Sequence, residues 1–313
     1  MPRPWAARRR WSGDVYDQQH ACITKDTHLA LKVMHGIVPV ESDGSACFVV
    51  PANANIILQV LDRNYMSLQT ERTFVDYIPG EIRGCVGCHE IPQNASSRDL
   101  STPRLAMKRA PSLPGPQPGE KDGRRTLDYA SDVQPVLDRH CIKCHGAKDP
   151  KCELNLSGSR TKLFNVSYES LLPDRHRVLG PVIGENHPKT GNVEYLPAKS
   201  LGSHASVLVA MLAPGTVQLA DPKQAARALK LAEVHKNLQL SVAERVKITT
   251  WVDTNFQYYG SYWGRRNLDY ADLPDFRPVP TFDQARSMTE PPRPPPTSGV
   301  AAEKRPSKPS DRR

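Results

Sequence analysis

The sequence is short of the features that mark several common protein classes. No stretch approaches the roughly 20 apolar residues of a membrane span, so no membrane-crossing helix is expected. Only 38% of the residues are hydrophobic and 6% aromatic, and no internal repeat is visible beyond one short motif that occurs twice. The arginines of the segment from Met1 to Trp11 are not followed by the apolar core of a secretion signal, so no export signal is expected in the chain as written. A basic stripe interleaved with aromatic residues, as nucleic-acid binding would require, is also missing. The formal charge of +9 sits mainly at the two ends: residues 1–10 hold four arginines and no acid, and residues 276–313 hold eight Lys/Arg against four Asp/Glu. The body between is nearly neutral, and nucleic acid is not an expected partner.

What is abundant is proline, with 29 in 313 residues, so part of the chain packs no core. Residues 1–11 read as a basic disordered N-terminus, and residues 266–313, with the run Pro291-Pro292-Arg293-Pro294-Pro295-Pro296, as a disordered proline-rich tail. Residues 12–108 read as a β-rich module. Leu29 to Met34, Ile37 to Val40, Ala46 to Val50 and Asn55 to Asp62 are apolar runs of strand length, separated by turns such as Ser42-Asp43-Gly44. The segment 109–126 has many breakers and no periodicity, and reads as a linker. Residues 127–265 read as helical. Ser131 to Gln134 looks like a capping box opening a helix that runs into Cys141. Further helices are expected near 203–213, after Asp221-Pro222 with Gln224 as box partner, and after Ser241 with Glu244. The last carries Ile248, Trp251 and Val252 on one face. The expected fold is therefore α+β and multidomain: a small β-sandwich-like domain followed by an all-α domain laid out like a class I cytochrome c.

Two CXXCH motifs carry the chemistry: Cys85/Cys88/His89 and Cys141/Cys144/His145. The cysteine sulfurs add across the vinyl groups of haem, and the adjacent histidine falls beneath the iron. With seven Cys and ten His in the chain, one such motif arises by chance in about one of two hundred sequences of this composition. The competing readings are a zinc half-site and a thioredoxin-like dithiol, and neither requires the histidine. Cys22, Cys47 and Cys152 read as single packed or exposed thiols, with Cys22 and Cys47 candidates to face each other. For the second haem the distal ligand should lie on the loop before the final helix, where His235 stands; His204, on a face with Val207, Leu208 and Met211, is its rival. Met211 is better explained as core, and His140, beside the motif, is badly placed for the opposite face. For the first haem no distal ligand stands out among His20, His28 and His35. The expected cofactors are two haems c.

The run from Asp43 to Ala52, then Leu61-Asp62, Pro79-Gly80-Glu81 and Cys85-Val86-Gly87-Cys88-His89-Glu90, resembles the middle domain of hydrazine synthase α subunits and their planctomycete relatives. The likeness extends over about 12–265. Asp132 to Gly146, Leu154 to Gly158, Gly202 to Ser206 and Thr250 to Asn255 with Tyr258-Tyr259-Gly260 are similar to the C-terminal cytochrome domain of the same group. The resemblance implies a periplasmic or other extracytoplasmic setting, a bis-histidine C-terminal haem and an upstream propeller domain or subunit. It also implies that the first-motif histidine binds zinc while a tyrosine four residues later ligates the iron. Here that position is Gln93, with no tyrosine between the motif and Tyr129, so hydrazine synthesis is not carried over. The functions expected are electron transfer between redox partner proteins by a dihaem cytochrome, alternatively a haem enzyme acting on a small nitrogen or oxygen species, or a haem-free binding module.

Overall fold

In the computed structural model the residues described are 32–71, 74–86, 103–161, 164–172, 179–180 and 197–260. The expected disordered ends, together with Cys22, Cys88, His89 and Gln93, lie outside them.

Among the described residues the N-terminal part forms three two-stranded antiparallel ladders rather than a sandwich. Strand β2 (Asn55–Ile56) pairs with β5 (Val75–Asp76), and β3 (Gln59–Leu61) with β4 (Ser67–Thr70) across a turn in which Asp62 accepts from the backbone N–H of Asn64 and Met66. Strand β1 (Val33–Met34) pairs with β6 (Arg125–Thr126). The apolar runs at 37–40 and 46–50 contribute only single bridges, Ile37 to Gly115 and Phe48 to Ser112. A sandwich needs two apolar faces to bury, and among the described residues before Leu127 only Ile56, Met66 and Ala106 are buried hydrophobics.

The segment 109–126 behaves differently from a linker. Ser112, Gly115, Arg125 and Thr126 all pair with the N-terminal module, and Gly36, at φ +121°, leaves no room for a Cβ, which would lie 2.7 Å from the Cβ of Pro114. Single bridges need no periodic pattern, which is why the many prolines conceal them.

The helical part opens with α1 (Tyr129–Asp132), α2 (Gln134–His140) and α3 (Ile142–His145). The cap is Asp128, whose side chain accepts from Ser131 N–H, and not Ser131 itself. Gln134 is drawn away from a capping role by burial: it donates to Asp138 and to the Leu156 carbonyl and accepts from Asn165 and Ser167. Helix α4 (Val166–Leu171) is capped by Asn165, α5 (Val207–Leu212) by Ser206 and α6 (Pro222–Val234) by Asp221. Helix α7 (Val242–Asp253) begins in a full Ser241/Glu244 capping box. These caps satisfy N–H groups that have no partner in the first turn, each contributing about 1 kcal/mol.

The core lies where α1 meets α7. Tyr129, fully buried, has its ring 5.0 Å from Trp251, 5.1 Å from Tyr168 and 5.4 Å from Tyr258. Its hydroxyl shares a hydrogen bond with Ser167, and that of Tyr168 donates to the Phe256 carbonyl, so these phenols are buried with their polar ends satisfied. Met66 of the β module is part of the same cluster. The two parts are thus continuous in their packing, and polar contacts reinforce the junction: Ser67 N–H donates to Asp253, Gln59 to the Asp253 carbonyl and Lys199 N–H to Leu68.

Candidate functional site

The second motif occupies α3 and the residue before it. Cys141 N–H donates to Leu137 and His145 N–H to Cys141, so the five motif residues complete one helical turn that continues α2. That turn presents Cys144, exposed, and Cys141, half-buried. The chain then folds back so that the His145 carbonyl accepts from Leu156 N–H at 2.7 Å, and the Leu154 carbonyl lies 3.2 Å from His145 Nδ1. A carbonyl only accepts, so Nδ1 carries the proton and Nε2 is the nitrogen left with a lone pair.

His235 is the C-cap of α6. Its Nδ1 donates to the Leu231 carbonyl at 2.8 Å, which fixes the same tautomer. The rings of His145 and His235 lie 6.2 Å apart between centroids and within 17° of parallel. Two metal–imidazole bonds of about 2 Å, with about 1 Å from nitrogen to ring centre on either side, give a separation of about 6 Å. Both rings are held by main-chain acceptors, the usual way a protein orients a ligating imidazole and raises its basicity.

Among the described residues no group of three or more His, Cys, Asp or Glu side chains converges as a bare-ion site. Cys88, the fourth thiol of the zinc reading, lies outside the described residues. A thioredoxin-like dithiol is disfavoured, because such chemistry needs a lowered thiol pKa, whereas burial pushes Cys141 up to about 11. The near-parallel rings of His145 and His235, with the two thiols on the adjacent helical turn, are the residue types that haem c takes from a protein.

His204 is elsewhere. It is buried in a 3-10 turn (Gly202–Ala205), with Nε2 3.2 Å from the Asp62 carboxylate at the junction with the β3–β4 hairpin. Burial lowers its pKa against the pull of Asp62. His140 meets Glu244 at 3.0 Å. Of the first motif only Cys85, exposed, is described, and His35 is half-buried beside β1. Sequence reasoning missed Asp253, which is buried at the end of α7. Its carboxylate accepts from Ser203 N–H at 2.7 Å and Ser67 N–H at 3.0 Å, and burial raises its pKa to about 7. An acid ending a helix with Trp251 and Val252 at its inner face was the available signal.

Comparison with known proteins places these observations in a family context. Residues 6–90, which include the first motif, match the profile of the hydrazine synthase alpha subunit middle domain. The hydrazine synthase structure from Kuenenia stuttgartiensis aligns with a TM-score of 0.46 and 22% identity, covering 72% of this chain and 33% of that one. Hydrazine synthase subunit alpha of the same organism is 25% identical over 285 residues, which is 76% of this chain and 33% of the relative. The chain is thus similar to hydrazine synthase subunit alpha and spans about a third of that relative's length.

Proposed function

We propose that the chain is a hydrazine-synthase-alpha-like haem c protein whose second motif is an electron-transfer site, where Cys141 and Cys144 would attach the haem and His145 and His235 would hold its iron. The observation that supports this reading is the near-parallel pair of imidazoles 6.2 Å apart, each with Nδ1 committed to a carbonyl. Haem bound there would supply a one-electron centre. His145 and His235 would hold the iron, and the Leu154 and Leu231 carbonyls would keep their ring planes fixed. The first motif, Cys85, Cys88 and His89, would attach a second haem. The match of residues 6–90 to the middle-domain family favours a second reading for that haem, as a site for a small nitrogen or oxygen species. An extracytoplasmic location belongs to the same proposal and rests on the CXXCH motifs; assembly with other subunits rests on the similarity to a subunit of hydrazine synthase.

A pyridine haemochrome assay on the matured chain should report two c-type haems, and none would reject the proposal. His235→Ala should convert the second haem from low to high spin, whereas His204→Ala should leave it low spin. The reverse pattern would reject His235 as the ligand. Carbon monoxide or nitric oxide binding by the parent chain at the first haem would favour the enzymatic reading of that site, and a fully low-spin, unreactive chain would count against it.

A further inference from the structure

We propose that Glu244 is the positioning residue of the second site: one carboxylate that ties the segment bearing His235 to the helix bearing Cys141 and His145, and so holds the distal imidazole at its ligating distance. This rests on the bis-histidine reading above.

His235 ends α6, and the chain from it to Ser241 crosses to the start of α7. It is held at its α6 end by the bonds of His235 to Leu231. At its other end Glu244 Oε2 accepts from Ser241 N–H at 2.9 Å and from the Ser241 hydroxyl at 2.8 Å. The other oxygen of the same carboxylate faces away from the cap. Oε1 meets the Arg139 guanidinium and, at 3.0 Å, His140 Nε2, and these two residues end α2 directly before Cys141. The side chain is only 12% exposed, which weakens the competition from water. A circuit of contacts results, from His145 through Cys141 and His140 to Glu244, Ser241 and His235, whose two ends are the ring pair 6.2 Å apart. Glu244 makes the polar crossing between the two ligand-bearing segments. Its Ser241 contacts alone would make an ordinary helix cap. The Arg139 and His140 contacts, about 100 residues distant in sequence, add nothing to capping but fix where the cap sits relative to the motif. Hydrogen bonds to a charged acceptor are roughly twice as strong as neutral ones, so the circuit depends on the carboxylate.

Two full-length variants test this. Glu244→Gln keeps a residue competent for the capping box but removes the charge. Arg139→Ala/His140→Ala leaves the Ser241/Glu244 box intact and cuts the crossing from the other side. Each should keep the haem content of the parent while the second haem gains a high-spin fraction and binds carbon monoxide, when reduced, about tenfold faster than in the parent. If Glu244→Gln does not fold, the double variant decides alone. Spectra and carbon monoxide rates indistinguishable from the parent in the folded variants would overturn the proposal while leaving the ligation intact. A parent chain carrying no haem on the peptide from Cys141 to His145 would overturn the ligation itself, and the positioning role with it.

Discussion

Replacing Asp253 by asparagine should remove a pH dependence of stability that has a definite sign. The carboxyl is 6% exposed and accepts two backbone N–H groups, and burial outweighs those bonds, raising it from 3.8 to about 7. Asp62 adds to the rise. In the unfolded chain the same group is a free carboxylate above about pH 4. Folding therefore takes up a proton between these values: the stabilisation is full below the unfolded pKa and is lost as pH rises through the folded one. Between about pH 5 and about pH 8 roughly two pK units of linkage are lost, or roughly 3 kcal/mol at about 1.4 kcal/mol per unit. Asparagine does not titrate, but it offers one acceptor to two N–H donors, costing about 1–3 kcal/mol at every pH. Urea unfolding of parent and Asp253→Asn at both pH values isolates the effect, because contributions from His204 and other groups cancel in the difference. The variant should be the less stable at acid pH, and the gap should close by roughly 3 kcal/mol at about pH 8. Parallel pH curves for the two proteins would refute the assignment.

Two further substitutions probe the frame around the site. Gly180, at φ +88°, would bring a Cβ to 2.3 Å from the Ala205 carbonyl, so Gly180→Ala should destabilise by about 3 kcal/mol in urea. A loss below about 1 kcal/mol would show that this turn yields freely. Gln257, buried, accepts from Lys32 N–H and donates to the Lys32 and Leu127 carbonyls. Gln257→Ala should therefore cost about 3 kcal/mol and speed amide exchange at residues 32–36. Unchanged exchange there would mean that β1 is held by its β6 pairing alone.

The helical half was legible because its signals are local. Asp221-Pro222 and Ser241 with Glu244 are complete within four residues, and both open helices where the pattern says they should. Gln134 shows where this fails: its partners, Asn165 and Ser167, lie some thirty residues away, and a buried network outweighs a neighbouring cap. The strand-like runs at 37–40 and 46–50 have strand composition but no partner face to bury, so they make single bridges. His235 could be picked out by its place ahead of Ser241. The ring separation from His145 and the Glu244 crossing depend on contacts across about 100 residues and have no trace in local pattern.

The pairing of Lys32 with Gln257 spans 225 residues, and β1 also waits for β6. During synthesis the N-terminal module can therefore form its turns and hairpin early but cannot close until α7 and Gln257 have emerged. Non-local closure of this kind makes for slow folding and leaves strand edges open in the meantime. A ribosome stalled before residue 250 should hold residues 32–36 in a chain still accessible to proteases. Release of the full length should remove protease access at residues 32–36 in a single step.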